Sequence, residues 1–223
     1  KVITPRMGKA VEIQALWYNA LCVMEAFAAR FDNAELRTRF SDLASRAKTS
    51  FAEKFWNADA GCLYDVIDGD RRDPSVRPNQ IFAVSLFYPI LEGEKARGVV
   101  DKVEQDLLTP KGLRTLAPDD AKYLGKYEGG PFERDSAYHQ GTVWAWLIGH
   151  FIDAYLRVHS GEKDAVQHAK QMLAGLESHL HDTMLGSLSE IFDGDAPHLA
   201  KGAAAQAWSI GEFIRIRRKL RTQ

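Results

Sequence analysis

An all-α fold of the α/α toroid type, built from helical hairpins and incomplete as a ring, is what this sequence predicts. Three observations lead there. Apolar segments of two kinds alternate along the chain. A single patch reads as strand. The unusual polar residues gather just before one kind of helix and are absent from the starts of the other.

Taken in order, Ala10 to Phe31 is apolar nearly all the way round, the pattern of a helix buried on most sides. Ala34 to Trp56 instead carries one stripe, Leu36, Phe40, Leu43, Ala47, Phe51 and Phe55, at spacings of three and four. The contrast repeats. Asn79 to Leu91 and Thr142 to Val158 are of the buried kind, each followed by a striped segment, Lys95 to Leu108 and Glu162 to Leu180. A last buried-type segment runs from Ala203 to about Arg217. Buried helix followed by amphipathic helix is the pattern of an inner ring shielded by an outer one, packed by ordinary helix rules. Three and a half pairs do not close a ring of six. Cys62 to Ile67 is the strand-like patch, half of a small hairpin closed at Asp68-Gly69. Asp119 to Arg134 is the longest loop, and long loops in compact domains are often functional.

The bulk composition narrows the field. With 223 residues, 45% hydrophobic and 26% charged, the chain can bury a substantial core in one domain, 1–223. A formal charge of −1 without a basic block gives no attraction to nucleic acid or to an anionic membrane. Two cysteines, Cys22 and Cys62, make no disulfide framework and suit a reduced, cytoplasmic protein. Val11 to Phe31, the longest apolar run, is interrupted by Glu12, Gln14, Asn19 and Glu25, which argues against a membrane span. There is no glycine-rich phosphate loop, no nucleophile elbow, and no histidine pair with metal-ligand spacing among the clustered polar residues. Neither a metal nor a cofactor is expected.

Hairpin connectivity makes the inner helices parallel, so the segments preceding them should meet at one mouth. Those segments hold carboxylates (Glu12, Asp135, Glu190, Asp193, Asp195), amides (Asn79, Gln80, Gln140) and aromatics (Trp17, Tyr18, Tyr138, Trp144). That is the palette of a sugar site, where aromatic faces cover a pyranose and acids and amides take its hydroxyls; hydrolysis of a glycoside adds a pair of flanking carboxyls. The stretch from Gly186 to His198 stands out. It is rich in turn residues yet has Leu188, Ile191 and Phe192 to bury, and it sets Glu190 in a partly apolar setting. The plainer reading of this stretch is a helix-start loop, with Asp193 or Asp195 as the cap.

The residues also resemble a known family. The run Thr4-Pro5-Arg6-x-Gly8-Lys9-x-Val11-Glu12-Ile13-x-Ala15-Leu16-Trp17-Tyr18-Asn19-Ala20-Leu21 is similar to the signature of the C-terminal domain of glycogen debranching enzymes, the amylo-α-1,6-glucosidase family. Arg77-Pro78-Asn79-Gln80, Tyr138-His139-Gln140-Gly141-Thr142-Val143-Trp144-Ala145-Trp146 and Ser189-Glu190-Ile191-Phe192-Asp193-Gly194 resemble its later motifs.

The resemblance implies an (α/α)6 glycosidase-type barrel, glycogen or branched α-glucan as partner, and hydrolysis of an α-1,6-linked glucose with inversion. It implies Glu190 as the general base, and Lys9, Glu12, Asn79, Tyr138, His139 and Trp144 as lining of the glucose pocket. Arg6, Gln80 and Asp193 belong to the same motifs and are assigned to substrate binding with them. The family's general acid is an aspartate shortly before the Thr-Pro-Arg motif. The chain is therefore expected to be the C-terminal part of a catalytic domain, lacking the upstream helices and inactive alone; were it active, Asp135, Glu128 or Glu133 would be candidate acids. Apolar flanks left open on Ala10 to Phe31 should invite self-association. The competing expectations are a glucoamylase-like or trehalase-like toroid, a non-catalytic glucan-binding module, and a purely structural helical scaffold.

Overall fold

A computed structural model describes residues 2–182 and 185–222. Two compact units make up the chain: Arg6–Pro74 with Asn79–Val99, and Ser75–Pro78 with Val100–Gln223 and Lys1–Pro5.

The first unit is organised by a helical hairpin. Strand β1 (Lys9–Ala10) leads into α1 (Val11–Arg30), and α2 (Ala34–Lys54) packs back along it. Asp32 takes a left-handed conformation in the turn (φ 53°) and the Asn33 side chain caps α2 by accepting from the Leu36 N–H at 3.0 Å. Two short ladders follow. Strands β2 (Trp56–Asn57) and β3 (Cys62–Leu63) pair with each other, while β4 (Val66–Asp68) pairs with both β1 and β5 (Arg71–Asp73). The β4–β5 turn contains Gly69 with φ 60°, so the hairpin closes where the Asp68-Gly69 signal placed it.

Helix α1 differs from its sequence reading. It buries Val11, Ala15, Leu21 and Ala28, but Ile13, Leu16, Trp17, Met24, Phe27 and Phe31 are exposed. The helix is apolar on two sides and covered on one. The expected helix over Asn79 to Leu91 is also shorter. A 3-10 turn (Pro78–Ile81) passes into α3 (Phe82–Ser85), and Leu86 is already extended. Pro89 explains the stop, since it lacks the N–H that would bond back to Ser85 and crowds the preceding turn.

Helix α4 (Gly93–Leu107) is shared between the units. In the second unit, a five-stranded antiparallel sheet has the order β10-β9-β8-β7-β6, formed by β6 (Leu108–Thr109), β7 (Gly112–Arg114), β8 (Val143–Trp144), β9 (Ile191–Phe192) and β10 (Ala200–Lys201). Around it stand α5 (Pro131–Tyr138), α6 (Leu147–Val158), α7 (Ala165–Met172), α8 (Ala174–His179) and α9 (Ala207–Arg221). Phe151, Ile148, Ile152, Phe192, Phe213 and Ile216 are fully or almost fully buried here.

The fold is thus mainly helical and includes small sheets, which the all-α expectation did not provide for. Thr142 to Val158, predicted as one helix, begins instead with strand β8, because Val143 and Trp144 slot between β7 and β9. The stripe from Glu162 to Leu180 is divided into α7 and α8 at Leu173. The last helix begins at Ala207 rather than Ala203, since Ala203 and Gln206 exchange backbone hydrogen bonds with Glu190 and Leu188 instead. No helix among the described residues is long and apolar enough to cross a membrane.

Candidate functional site

The second unit holds five of the sequence-predicted residues, Tyr138, His139, Trp144, Glu190 and Asp193. Strand β9 starts one residue after Glu190 and is held in the sheet on both sides, with Ile191 opposite Trp144 on β8 and opposite Lys201 on β10. Immediately beyond β10 the chain turns at Gly202 (φ 67°). A side chain there would run into Glu190 Oε2 and Ile191, so only glycine lets the turn close this tightly.

That closure gives Glu190 two donors. The Ala203 N–H donates to Oε2 at 2.9 Å, and the Tyr138 hydroxyl donates to Oε1 at 2.6 Å. The backbone of Glu190 bonds Ala203 as well, its N–H donating to the Ala203 carbonyl at 2.9 Å. The half-buried carboxylate is fixed in direction without an ion pair to any cation among the described residues. Burial, and then the hydrogen bond and charge of Glu190, raise the pKa of Tyr138 well above the ordinary phenol value, so the hydroxyl keeps its proton and remains a donor.

Tyr138 is itself held. It ends α5, which begins with Pro131 in the first turn, where a missing N–H is no loss. Its carbonyl accepts from Thr142 Oγ1 at 2.5 Å and from the Trp144 indole N–H at 3.1 Å. The buried Arg77 guanidinium donates to the His139 carbonyl and to Gln140 Oε1, both at 2.6 Å, and to the Thr115 carbonyl at 3.0 Å. The Arg77 motif thereby fastens the segment that presents Tyr138.

Aromatic rings surround the carboxylate's partner. Tyr138 lies edge-on to Trp144 at 4.8 Å, and the exposed His139 ring stacks on Trp144 at 5.4 Å with 11° between planes. Tyr127 stands 5.8 Å from Tyr138 and Trp208 stands 5.8 Å from Trp144. Trp208, read from sequence as a core residue of the last helix, is 49% exposed. Its exposure and the role of Tyr127 had no sequence signal, since both depend on which residues the sheet brings alongside Trp144 and Tyr138.

Asp193 and Asp195 do not cap the following helix; Gln206 does, its side chain accepting from the Ala207 N–H at 2.9 Å. The two acids instead pin the long loop. Asp193 accepts from the Tyr127 N–H at 2.8 Å and has Lys201 Nζ at 3.7 Å. Asp195 accepts from the Tyr123 hydroxyl at 3.0 Å, and its N–H donates to the Gly125 carbonyl at 3.0 Å. Burial first, then Asp195, push the Tyr123 phenol up to about 12. Glu133 and Asp135 are exposed on α5, and Glu128 is exposed in the loop before it.

The first unit holds the remaining predicted residues. Arg6 lies between two carboxylates: Nη1 and Nη2 donate to Glu12 at 2.5 and 2.7 Å, and Nε and Nη2 donate to Asp65 at 2.7 and 2.8 Å. Burial alone would lower the guanidinium's pKa, but the hydrogen bonds to Glu12 and Asp65 outweigh it and hold Arg6 above its ordinary value. Asp65, 2% exposed, has no signal in the sequence and becomes evident only when β4 is placed beside β1. Gln80 is buried, its Oε1 accepting from the Leu63 N–H at 3.1 Å, and Asn79 is half-buried in the same 3-10 turn. Lys9 is exposed and lines a cavity of about 450 Å³ together with Gln14, Trp17, Lys54, Asp70 and Arg72.

Comparison with known proteins gives relatives in sequence and in structure. The chain is 26% identical over 253 aligned positions to the glycogen debranching enzyme of Saccharomyces cerevisiae, covering 92% of the chain and 16% of that protein. The structure matches that of the GH63 mannosylglycerate hydrolase from Thermus thermophilus in complex with Tris, with a TM-score of 0.63 and 15% identity, over 96% of this chain and 45% of that one. The fold is therefore shared with part of that hydrolase. The family described as amylo-alpha-1,6-glucosidase matches residues 1–215, and the chain belongs to it.

Proposed function

We propose that the protein is a glycoside hydrolase that removes α-1,6-linked glucose from glycogen or a similar branched α-glucan, acting in the cytoplasm by inversion. The chain would contribute helical hairpins to an (α/α)6 barrel, with Glu190 as the general base. The observation that carries the reading is the double anchoring of the Glu190 carboxylate by Tyr138 and Ala203, beside an aromatic cluster whose His139 and Trp208 rings are exposed. The similarity to a glycogen debranching enzyme and to a mannosylglycerate hydrolase supports the reaction class.

The geometry suits a base. A carboxylate has about four lone-pair positions on its two oxygens, and here each oxygen has one protein donor. Lone pairs are left on both for a water molecule, and the fixed carboxylate would aim that water at the anomeric carbon. Inversion places the water on the face opposite the leaving group, with the acid roughly 6.5–9.5 Å from the base. Tyr138 and the exposed His139 and Trp208 offer ring surface to a pyranose, Trp144, 6% exposed beneath His139, backs them, and Asp193 orders the adjoining loop. In the first unit, Lys9 and Asn79 are assigned to sugar hydroxyls and Glu12 to the same task from its clamp. Within that unit Arg6 holds Glu12, and Gln80 holds the β3 backbone.

The test is glucose release from a branched limit dextrin, with maltooligosaccharide and trehalose as controls, for the 223-residue chain and for a form extended at its N-terminus, each with and without Glu190→Gln. Release by the extended form only, confined to the α-1,6 substrate and abolished by the substitution, is expected. Turnover that survives Glu190→Gln would remove the base assignment. Glucan affinity without turnover by either form on any substrate would make the chain a binding module.

A further inference from the structure

The residue next to the proposed base takes part in a buried polar arrangement that the mechanism above does not use. Ser189 Oγ lies 3.0 Å from His179 Nε2, and His179 Nδ1 lies 3.5 Å from Asp182 Oδ2. Hydroxyl, imidazole and carboxylate stand in the order of a hydrolytic triad. Ser189 is 1% exposed and His179 2% exposed, however, so no substrate carbonyl can reach the hydroxyl. The arrangement has a different use.

The proton positions follow from the partners. A carboxylate accepts only, so Asp182, 3.5 Å away, favours the tautomer with the proton on His179 Nδ1, in which Nε2 accepts from the Ser189 hydroxyl. The carbonyl of Ala204, 3.5 Å from Ser189 Oγ, is at the limit of hydrogen bonding and is the weaker partner. Burial, with the nearby Lys111 charge, lowers the imidazole's pKa and keeps the ring neutral, as an acceptor must be. The ring also packs edge-on against Phe192 of β9 at 4.8 Å. Residues 188–192 are therefore fastened from two sides. The 203–206 segment holds them by backbone bonds at Glu190 and Leu188, and α8 holds them by His179.

We propose that His179 is a positioning residue for Glu190, setting the carboxylate's direction by holding the Ser189 hydroxyl one residue away. This rests on the reading of Glu190 as the site's base. A carboxylate at the end of a strand swings with its backbone, and Ser189 is the last side chain before it that is tied to another element.

The experiment uses the 223-residue chain and 1-deoxynojirimycin, a basic sugar analogue whose ammonium group pairs with a carboxylate. Affinity is read by calorimetry and folding by circular dichroism. Glu190→Gln should abolish binding. Ser189→Ala and His179→Phe should each weaken it about tenfold, the scale of one buried hydrogen bond, and the double variant no further. His179→Gln, whose side-chain carbonyl can still accept from Ser189, should bind as the unaltered chain does. If His179→Phe fails to fold, Ser189→Ala makes the same test. A lower melting temperature with unchanged affinity in Ser189→Ala, alongside a silent Glu190→Gln, would overturn the positioning role and leave the base assignment intact. Unaltered binding in Glu190→Gln, or none in the unaltered chain, would overturn that assignment and this proposal with it.

Discussion

The Tyr138 hydroxyl donates to Glu190 Oε1 across 52 residues of chain at 2.6 Å, so the end of α5 and the start of β9 meet in a single short hydrogen bond. Every other feature of the site converges on that contact. Arg77, Thr142 and Trp144 fix the tyrosine, while Ala203, Gly202 and the sheet fix the glutamate.

Removing the hydroxyl alone should therefore be costly to the site and mild for the fold. Tyr138→Phe keeps the ring contacts with Trp144 and Tyr127 but leaves Oε1 without its donor. Hydrogen bonds to charged groups contribute about 1.5–3 kcal/mol, so a loss of at least about tenfold in kcat on limit dextrin is expected with the melting temperature little changed. An unchanged kcat would mean that the hydroxyl does not orient the base.

The tyrosines make the protein's stability fall at alkaline pH. In the folded state Tyr138 and Tyr123 hold their protons above the ordinary value of 10.0, Tyr123 to about 12. The folded chain then binds more protons than the unfolded one, so this stability is fully present below about pH 10 and is lost as pH rises through the folded values. Burial likewise pushes Tyr18 up to about 12, so ultraviolet titration should show late tyrosinates from Tyr18, Tyr123 and Tyr138, one fewer in Tyr123→Phe. Simultaneous titration of all tyrosines near pH 10 would contradict this.

Gly202 should tolerate no side chain. Alanine there would combine a positive φ of 67° with a clash against the Glu190 carboxylate. Gly202→Ala is expected to destabilise by about 1–2 kcal/mol and to weaken sugar-analogue binding together with it. A thermal melt and a calorimetric titration of the same sample check both effects.

The Arg6 clamp gives a stability prediction in the first unit. Asp65→Ala removes a buried carboxylate and leaves a part-buried guanidinium with only Glu12. Breaking one member of such a group costs about 2–3 kcal/mol after allowance for the partial exposure of Arg6. Urea denaturation measures it; an effect below about 0.5 kcal/mol would show the clamp to be a surface pair.

The exposed stripe of α1 should make the chain self-associate. Ile13, Trp17, Met24, Phe27 and Phe31 recur at spacings of three, four and seven and leave one continuous apolar flank. Sedimentation velocity should show concentration-dependent association that Phe27→Glu with Phe31→Glu reduces. A monomer at all concentrations would remove this expectation.

Much was legible in the sequence because periodicity and turn chemistry are local. The helices over residues 11–30, 34–54 and 93–107, and the hairpin at Gly69, follow from spacing and glycine alone. The motifs containing Glu190, Tyr138 and Trp144 could be found because each is continuous in the chain. What the sequence could not provide was pairing at a distance. Strand β8 was hidden in an apolar run that suits a helix equally well, until β7 and β9 claimed its backbone groups. Asp65 gives no sign of its ion pair from within the strand-like patch and gains it where β4 meets β1, and Trp208, in an apolar segment, is left half exposed beside Trp144. The one-dimensional pattern thus marked the candidate residues for the chemistry and most of the helical segments. Tertiary structure decided which of those residues touch, since a hydrogen bond between Tyr138 and Glu190, or His179 and Ser189, depends on sheet register and chain reversal rather than on any spacing along the chain.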